Sequence, residues 1–167
     1  MLVLSRGERQ SVVIGDAITM TIERIGESGD GRKVAGAVVR LGFEAPRYVS
    51  ICRNELLSRR QSALADHGTG RRKEPRPGRV VGISGIVMHA RIQVPRKVPV
   101  SHNGKPTVGR DLEEAEGGSP KTEYCIACYE EDRITICNNI SIAVLDFHRF
   151  ACTDASPPMA PQDTAGS

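Results

Sequence analysis

Ser11-Val12-Val13-Ile14-Gly15-Asp16-Ala17-Ile18-Thr19-Met20-Thr21-Ile22 decides the fold of this chain. β-branched residues crowd both sides of Gly15-Asp16, and a glycine supplies the positive φ that a two-residue primed hairpin turn needs. The segment predicts two antiparallel strands, with Ile25 closing the second. Before it, Met1-Leu2-Val3-Leu4-Ser5-Arg6 alternates with a period of two and reads as a first strand. After it comes a polar loop, Gly26-Glu27-Ser28-Gly29-Asp30-Gly31, then a fourth strand over 34–43 and a short fifth over 48–52. Pro46 withholds a backbone donor and holds Ala45 extended, so the chain bends between them. Residues 54–65 are mostly helix formers with Leu56, Leu57 and Leu64 on one side, and Gly68 ends them. The order is five strands and then a helix.

Composition limits what surrounds this unit. The 167 residues suit one ordinary domain, or a small one with a satellite. Aromatics are only 4% and Trp is absent, which leaves few large anchors for a deep core. A net charge of +3 is too mild to identify a partner by itself, so the placement of charge matters more than its sum. The start of the chain has no charged-then-apolar leader, and no window approaches the roughly 18 apolar residues of a membrane span. The expectation is a cytoplasmic protein with no membrane partner. Five Cys without an export signal argue against a disulfide framework.

The second half is less legible. Residues 68–78 are a basic, Pro- and Gly-containing linker. Strand-like patches resume at 80–83 and 86–94, and again over 123–147 after an acidic stretch at 111–120. The divisions are 1–66 for the first domain, 67–79 for the linker, 80–153 for a β-rich extension and 154–167 for a disordered tail. Two echoes of the first half appear. Asp132 to Val144 follows the hairpin grammar of Gln10 to Ile22, and Val94-Pro95-Arg96-Lys97-Val98-Pro99-Val100 echoes Ala45-Pro46-Arg47-Tyr48-Val49-Ser50-Ile51. They come in the opposite chain order. Short β-rich segments resemble one another easily, so an unrelated extension is the default and a permuted repeat the alternative.

The chemistry of the first half points to a nucleic acid. A domain of about 60 residues is marginal alone, and free strand edges offer unpaired N–H and C=O groups to another strand. Phe43 and Tyr48 are the only aromatics in the first 65 residues, so an aromatic stacking platform is nearly missing. Backbone groups, the apolar Leu4 and forked arginine donors remain, and those donors match phosphate or the O6/N7 edge of guanine. With the opening strand, the Gly15-Asp16 hairpin, Ala45-Pro46-Arg47 and the terminal Arg53 in this order, residues 1 to about 61 resemble the carbon storage regulator family of bacterial RNA-binding translational regulators.

The resemblance implies a mainly β fold: a small five-stranded domain with a C-terminal helix in a strand-interlocked dimer, here with a β-rich extension. In such a homodimer the first strand of one subunit lies beside the fifth of the other, giving two equal RNA sites at opposite edges. It also implies binding to GGA-containing loops in mRNA leaders, repressing translation initiation or altering mRNA stability. The partners would be single-stranded or hairpin mRNA, with small regulatory RNA as a further one. By position, Leu4, Ser5 and Arg6 would contribute from the first strand. Ala45, Pro46 and Arg47 would do so from the turn, and Val49, Ile51 and Arg53 from the fifth strand. The chain departs from the family pattern at Gly7-Glu8-Arg9-Gln10, at Cys52 and in the long Glu27–Ala37 loop.

Other functions find less support. Cys125-Ile126-Ala127-Cys128 falls in a strand, where residues three apart point to opposite faces. No cofactor and no metal is expected, and a metal-binding protein built on the later cysteines is the weaker rival. No Ser/His/Asp or Cys/His set suggests an enzyme. The nearer alternative is an RNA-binding-deficient protein-interaction or antagonist module of the same fold.

Overall fold

The computed structural model describes residues 1–57, 80–113 and 117–150. The first half carries β1 (Leu2–Gly7), β2 (Ser11–Ile14), β3 (Ile18–Glu27), β4 (Ala37–Glu44) and β5 (Ile51–Arg53). The second carries β6 (Val80–Ile83), β7 (Ile86–Pro95), β8 (Val100–His102), β9 (Lys105–Pro106), β10 (Arg110–Leu112), β11 (Lys121–Cys128), β12 (Arg133–Ile136) and β13 (Ile140–Phe150). The protein is mainly β, as the sequence predicts. Residues 54–57 are helical; the rest of the expected helix, the basic linker and the tail lie outside the described residues. The hairpin between β2 and β3 has three residues, Gly15 to Ala17, between the paired Ile14 and Ile18 rather than the two expected. Gly15 takes the positive φ of 62° there.

Two antiparallel sheets form, and neither belongs to one half of the chain. The first runs β1-β4-β13-β12-β8-β9, with β6 also paired to β13, and the second runs β10-β11-β7-β3-β2-β5. Alternation places one face of each strand inward. Leu4, Leu41, Phe43, Ile134, Ile142 and Phe147 from the first sheet share one buried cluster with Val12, Met20, Ile22, Met88, Ile92 and Ile126 from the second. The two central joints, β4 with β13 and β3 with β7, each tie one half to the other. The strands that the resemblance draws from a second subunit are here drawn from the same chain.

The halves also share a plan. Exchanging β1, β2, β3, β4 and β5 for β11, β12, β13, β7 and β8 converts β1-β4-β13-β12-β8 into β11-β7-β3-β2-β5. The details follow the exchange. Arg9 N–H donates to Ile22 O at 2.6 Å as Glu131 N–H does to Val144 O at 2.9 Å. Gly15 N–H reaches Ser50 O at 2.7 Å, and Cys137 N–H reaches Pro99 O at 3.0 Å. The Ala45-Pro46 and Val94-Pro95 bends close alike, from Val49 N–H to Pro46 O and from Val98 N–H to Pro95 O. β3 slips register between Ile22 and Arg24, and β13 slips between Val144 and Asp146. The echoes seen in the sequence are therefore matched strand by strand, with the equivalents of β4 and β5 placed ahead of those of β1 to β3.

Candidate nucleic-acid interface

β1 is the outer strand of one sheet and β5 the outer strand of the other, at the same end of the sandwich. They approach closely enough for Arg6 Nη1 to meet Glu55 Oε1 at 2.9 Å, just past the end of β5. Between them lies a groove of about 310 Å³ lined by Met1, Leu2, Phe43, Glu44, Ala45, Pro46, Arg47, Val49 and Ile51. Five of the nine residues expected to contact RNA thus line one groove. Arg47 and Arg53 are exposed, and among the described residues neither has an ion pair. Ser5 is exposed on the outer face of β1.

Leu4 and Arg6 face inward instead. Leu4 is buried in the core, and Arg6 is only 2% exposed. The alternation of β1 dictates this, because Leu4 and Arg6 share the face that meets the opposite sheet. Arg6 gives Nη1 to Glu55 and to Gln10 Oε1, while its Nε and Nη2 have no partner. Burial lowers the Arg6 pKa, and the Glu55 carboxylate partly offsets that. The Glu55 carboxyl is in turn held below its ordinary value, chiefly by its own backbone N–H and then by Arg6 against the effect of burial. Arg6 is therefore a desolvated cation held between β1 and the end of β5, whereas Arg47 and Arg53 are exposed cations open to a phosphate.

Three exposed groups outside the nine expected residues also stand at this end. Tyr48, beside Arg47 at the bend, is 83% exposed, and Leu2 and Val3 are exposed apolar residues on β1. Tyr48 offers one aromatic face to an unpaired base. The signal was available, since a tyrosine in a Pro-Arg-Tyr turn has little core to join.

Cys125 and Cys128 point away from each other, as strand alternation dictates. Cys125 is exposed and Cys128 buried, on opposite faces of β11. Burial, with Asp132 adding to it, pushes the Cys128 thiol up to about 12. One cluster of metal-type donors occurs among the described residues, formed by His102, Cys128 and Asp132 within 4.8 Å of one another. Its carboxylate is already engaged: Asp132 accepts from Tyr129 N–H and Asn103 Nδ2 at 2.8 Å each, and its Oδ2 lies 2.9 Å from His102 Nε2. These bonds outweigh burial and hold the Asp132 carboxyl below its ordinary value. The cluster closes a turn, as Gln10 does for Gly7 N–H in the first half.

Comparison with known proteins identifies the family of the first part of the chain. The sequence profile of the CsrA global regulator protein family matches residues 1–62. A translational regulator CsrA of Nocardioides sp. (strain JS614) is 39% identical over 87 residues, covering 42% of this chain and 94% of that protein. The translational regulator CsrA of Wolinella succinogenes is 41% identical over 66 residues, 40% of this chain and 70% of its own length. That of Treponema pallidum is 39% identical over 69 residues, 40% of this chain and 82% of its own length. No solved structure matches the chain. The protein is thus a mainly β member of a class of RNA-binding post-transcriptional regulators. The chain belongs to the CsrA global regulator family, which does not account for its second half.

Proposed function

We propose that the protein represses translation or alters transcript lifetime by holding an unpaired, GGA-containing loop of an mRNA leader along the β1–β5 edge. The observation that carries this is the juxtaposition of two strand edges left open among the described residues, with Arg47 lining the groove between them and Arg53 exposed at the end of β5. Strand edges offer main-chain donors and acceptors to base edges, and the arginine forks grip phosphate or guanine. Leu4 supports the edge from within, Ser5 presents its backbone, and Pro46, Val49 and Ile51 shape the floor. Small regulatory RNAs carrying the same loop would compete for it, and the setting is the cytoplasm.

One chain suffices for this edge, because residues 86–150 supply the strands that pair with β3 and β4. The boundary near residues 67–79 is then a joint between two interleaved repeats. Gel shifts with a GGA hairpin test the reading. Binding that disappears when GGA is replaced, and falls by about 1–3 kcal/mol in Arg53→Ala, supports it. Equal binding by both proteins sinks it.

A second reading is a protein-interaction module that has lost RNA binding. The burial of Arg6 against Glu55 favours it. The same gel shift decides, since this reading requires no shift with any GGA hairpin.

A further inference from the structure

The exchange that superposes the halves also pairs the two ends of the sandwich, and the far end is built differently. Arg6 on β1 corresponds to Cys128 on β11, because each faces the equivalent residue of β4 and β7, Val39 and Met88. Arg53 corresponds to His102, opposite Val12 and Ile134 respectively. The far edge therefore has a buried neutral thiol where the near edge has a cation. Its other position holds an imidazole already bonded to Asp132.

The far edge is also covered. β9 pairs with the outer side of β8, through Ser101 with Pro106 and His102 with Lys105. β10 pairs with the outer side of β11, from Arg110 with Glu123 to Leu112 with Lys121. Backbone groups left open on β1 and β5 among the described residues are thus consumed at the far end. Between β9 and β10, Gly109 lies so close to β11 that a Cβ there would sit 2.5 Å from Thr122 Cγ2 and 2.7 Å from the Tyr124 ring. Asp111 on β10 bonds Arg96 at 3.1 Å and accepts from Thr122 Oγ1 at 2.8 Å. Arg96 is the counterpart of Arg47, so a carboxylate of the chain itself stands where a phosphate would meet that arginine.

The strap has a topological cause. With the equivalents of β4 and β5 placed first, the chain must travel from the end of β8 to the start of β11. Those two ends flank the far edge, so the connecting residues cross it.

We propose that the protein carries a single RNA-binding edge, formed by β1 and β5, and that its pseudo-symmetric partner edge is permanently capped by residues 103–112. This rests on reading the β1–β5 edge as the RNA site. A chain with one site cannot bridge two GGA loops of one leader, whereas a homodimer with two equal edges can.

The test is a titration of the full-length protein with a short GGA hairpin at physiological ionic strength, read by isothermal calorimetry and native mass spectrometry. Lys97 and Lys105 remain exposed at the far end, and such salt suppresses their non-specific attraction. One hairpin per chain is expected. Arg53→Ala should lose at least fivefold in affinity, and His102→Ala should keep both affinity and stoichiometry. Two hairpins per chain, or halved stoichiometry in His102→Ala, overturns the single-site proposal while leaving RNA binding intact. No complex at any ratio overturns the RNA reading and the proposal together.

Discussion

The two ends of this sandwich share a backbone plan and differ in what they leave open. At one end the strand edges are open among the described residues, with Arg47 on a groove and Arg53 exposed at the end of β5; at the other a thiol and an imidazole stand in the places of Arg6 and Arg53 under two added strands. Backbone topology and surface chemistry have therefore separated. Interior alternation is kept in both halves, since Val12, Ile14, Met20 and Ile22 have buried counterparts in Ile134, Ile136, Ile142 and Val144. Packing constrains those positions, while edge positions answer only to what they bind.

Several experiments can break or sharpen this contrast. Ending the chain at residue 79 should have the largest effect, because β3 and β4 would lose β7 and β13. Such a fragment should be unfolded or should pair with a second copy; sedimentation and circular dichroism would show which. A folded monomer would mean that the halves are independent. Next, Phe147→Ala in the core of the far half should destabilise the whole protein by about 3–5 kcal/mol. Denaturation followed at probes in both halves should move as one transition.

At the edges the effects are smaller and opposite in kind. Arg53→Ala should weaken a GGA hairpin by about 1–3 kcal/mol, while its counterpart His102→Ala leaves affinity unchanged. Arg6→Met removes a buried cation with two unpartnered donors. It should raise stability by about 1 kcal/mol while leaving RNA affinity unchanged, so a thermal melt should move and a gel shift should not. The last contrast is with acid. The Asp132 carboxyl is held low in the folded state, so its contribution is present above the unfolded value of about 4 and fades as pH falls through the folded one. Asp132→Asn should flatten acid unfolding below about pH 4. Its counterpart Gln10 has no proton to gain.

Much of the near half was legible because periodicity and turn chemistry act locally. The hairpin around Gly15, the bend at Pro46 and the order of five strands all follow from neighbouring residues. Three things were not local. The burial of Arg6 depends on which face of β1 meets a sheet containing strands from residues 86–128. The pairing of β4 with β13 joins segments about a hundred residues apart, and no short-range pattern signals such a partner. The strap over β8 and β11 is two short strands within a polar stretch, and residues 105–112 carry no alternation to announce them. The permuted echoes were visible as strings, but only the sheet order shows that they occupy matching places.

Covalent continuity has a further consequence. In a symmetric pair of identical subunits each substitution is written twice, so an edge cannot be abandoned without losing its twin. Joining both sets of strands in one polypeptide frees each edge to drift alone. It also makes the pairing of β4 with β13 and of β3 with β7 a unimolecular event, whose equilibrium does not shift with dilution.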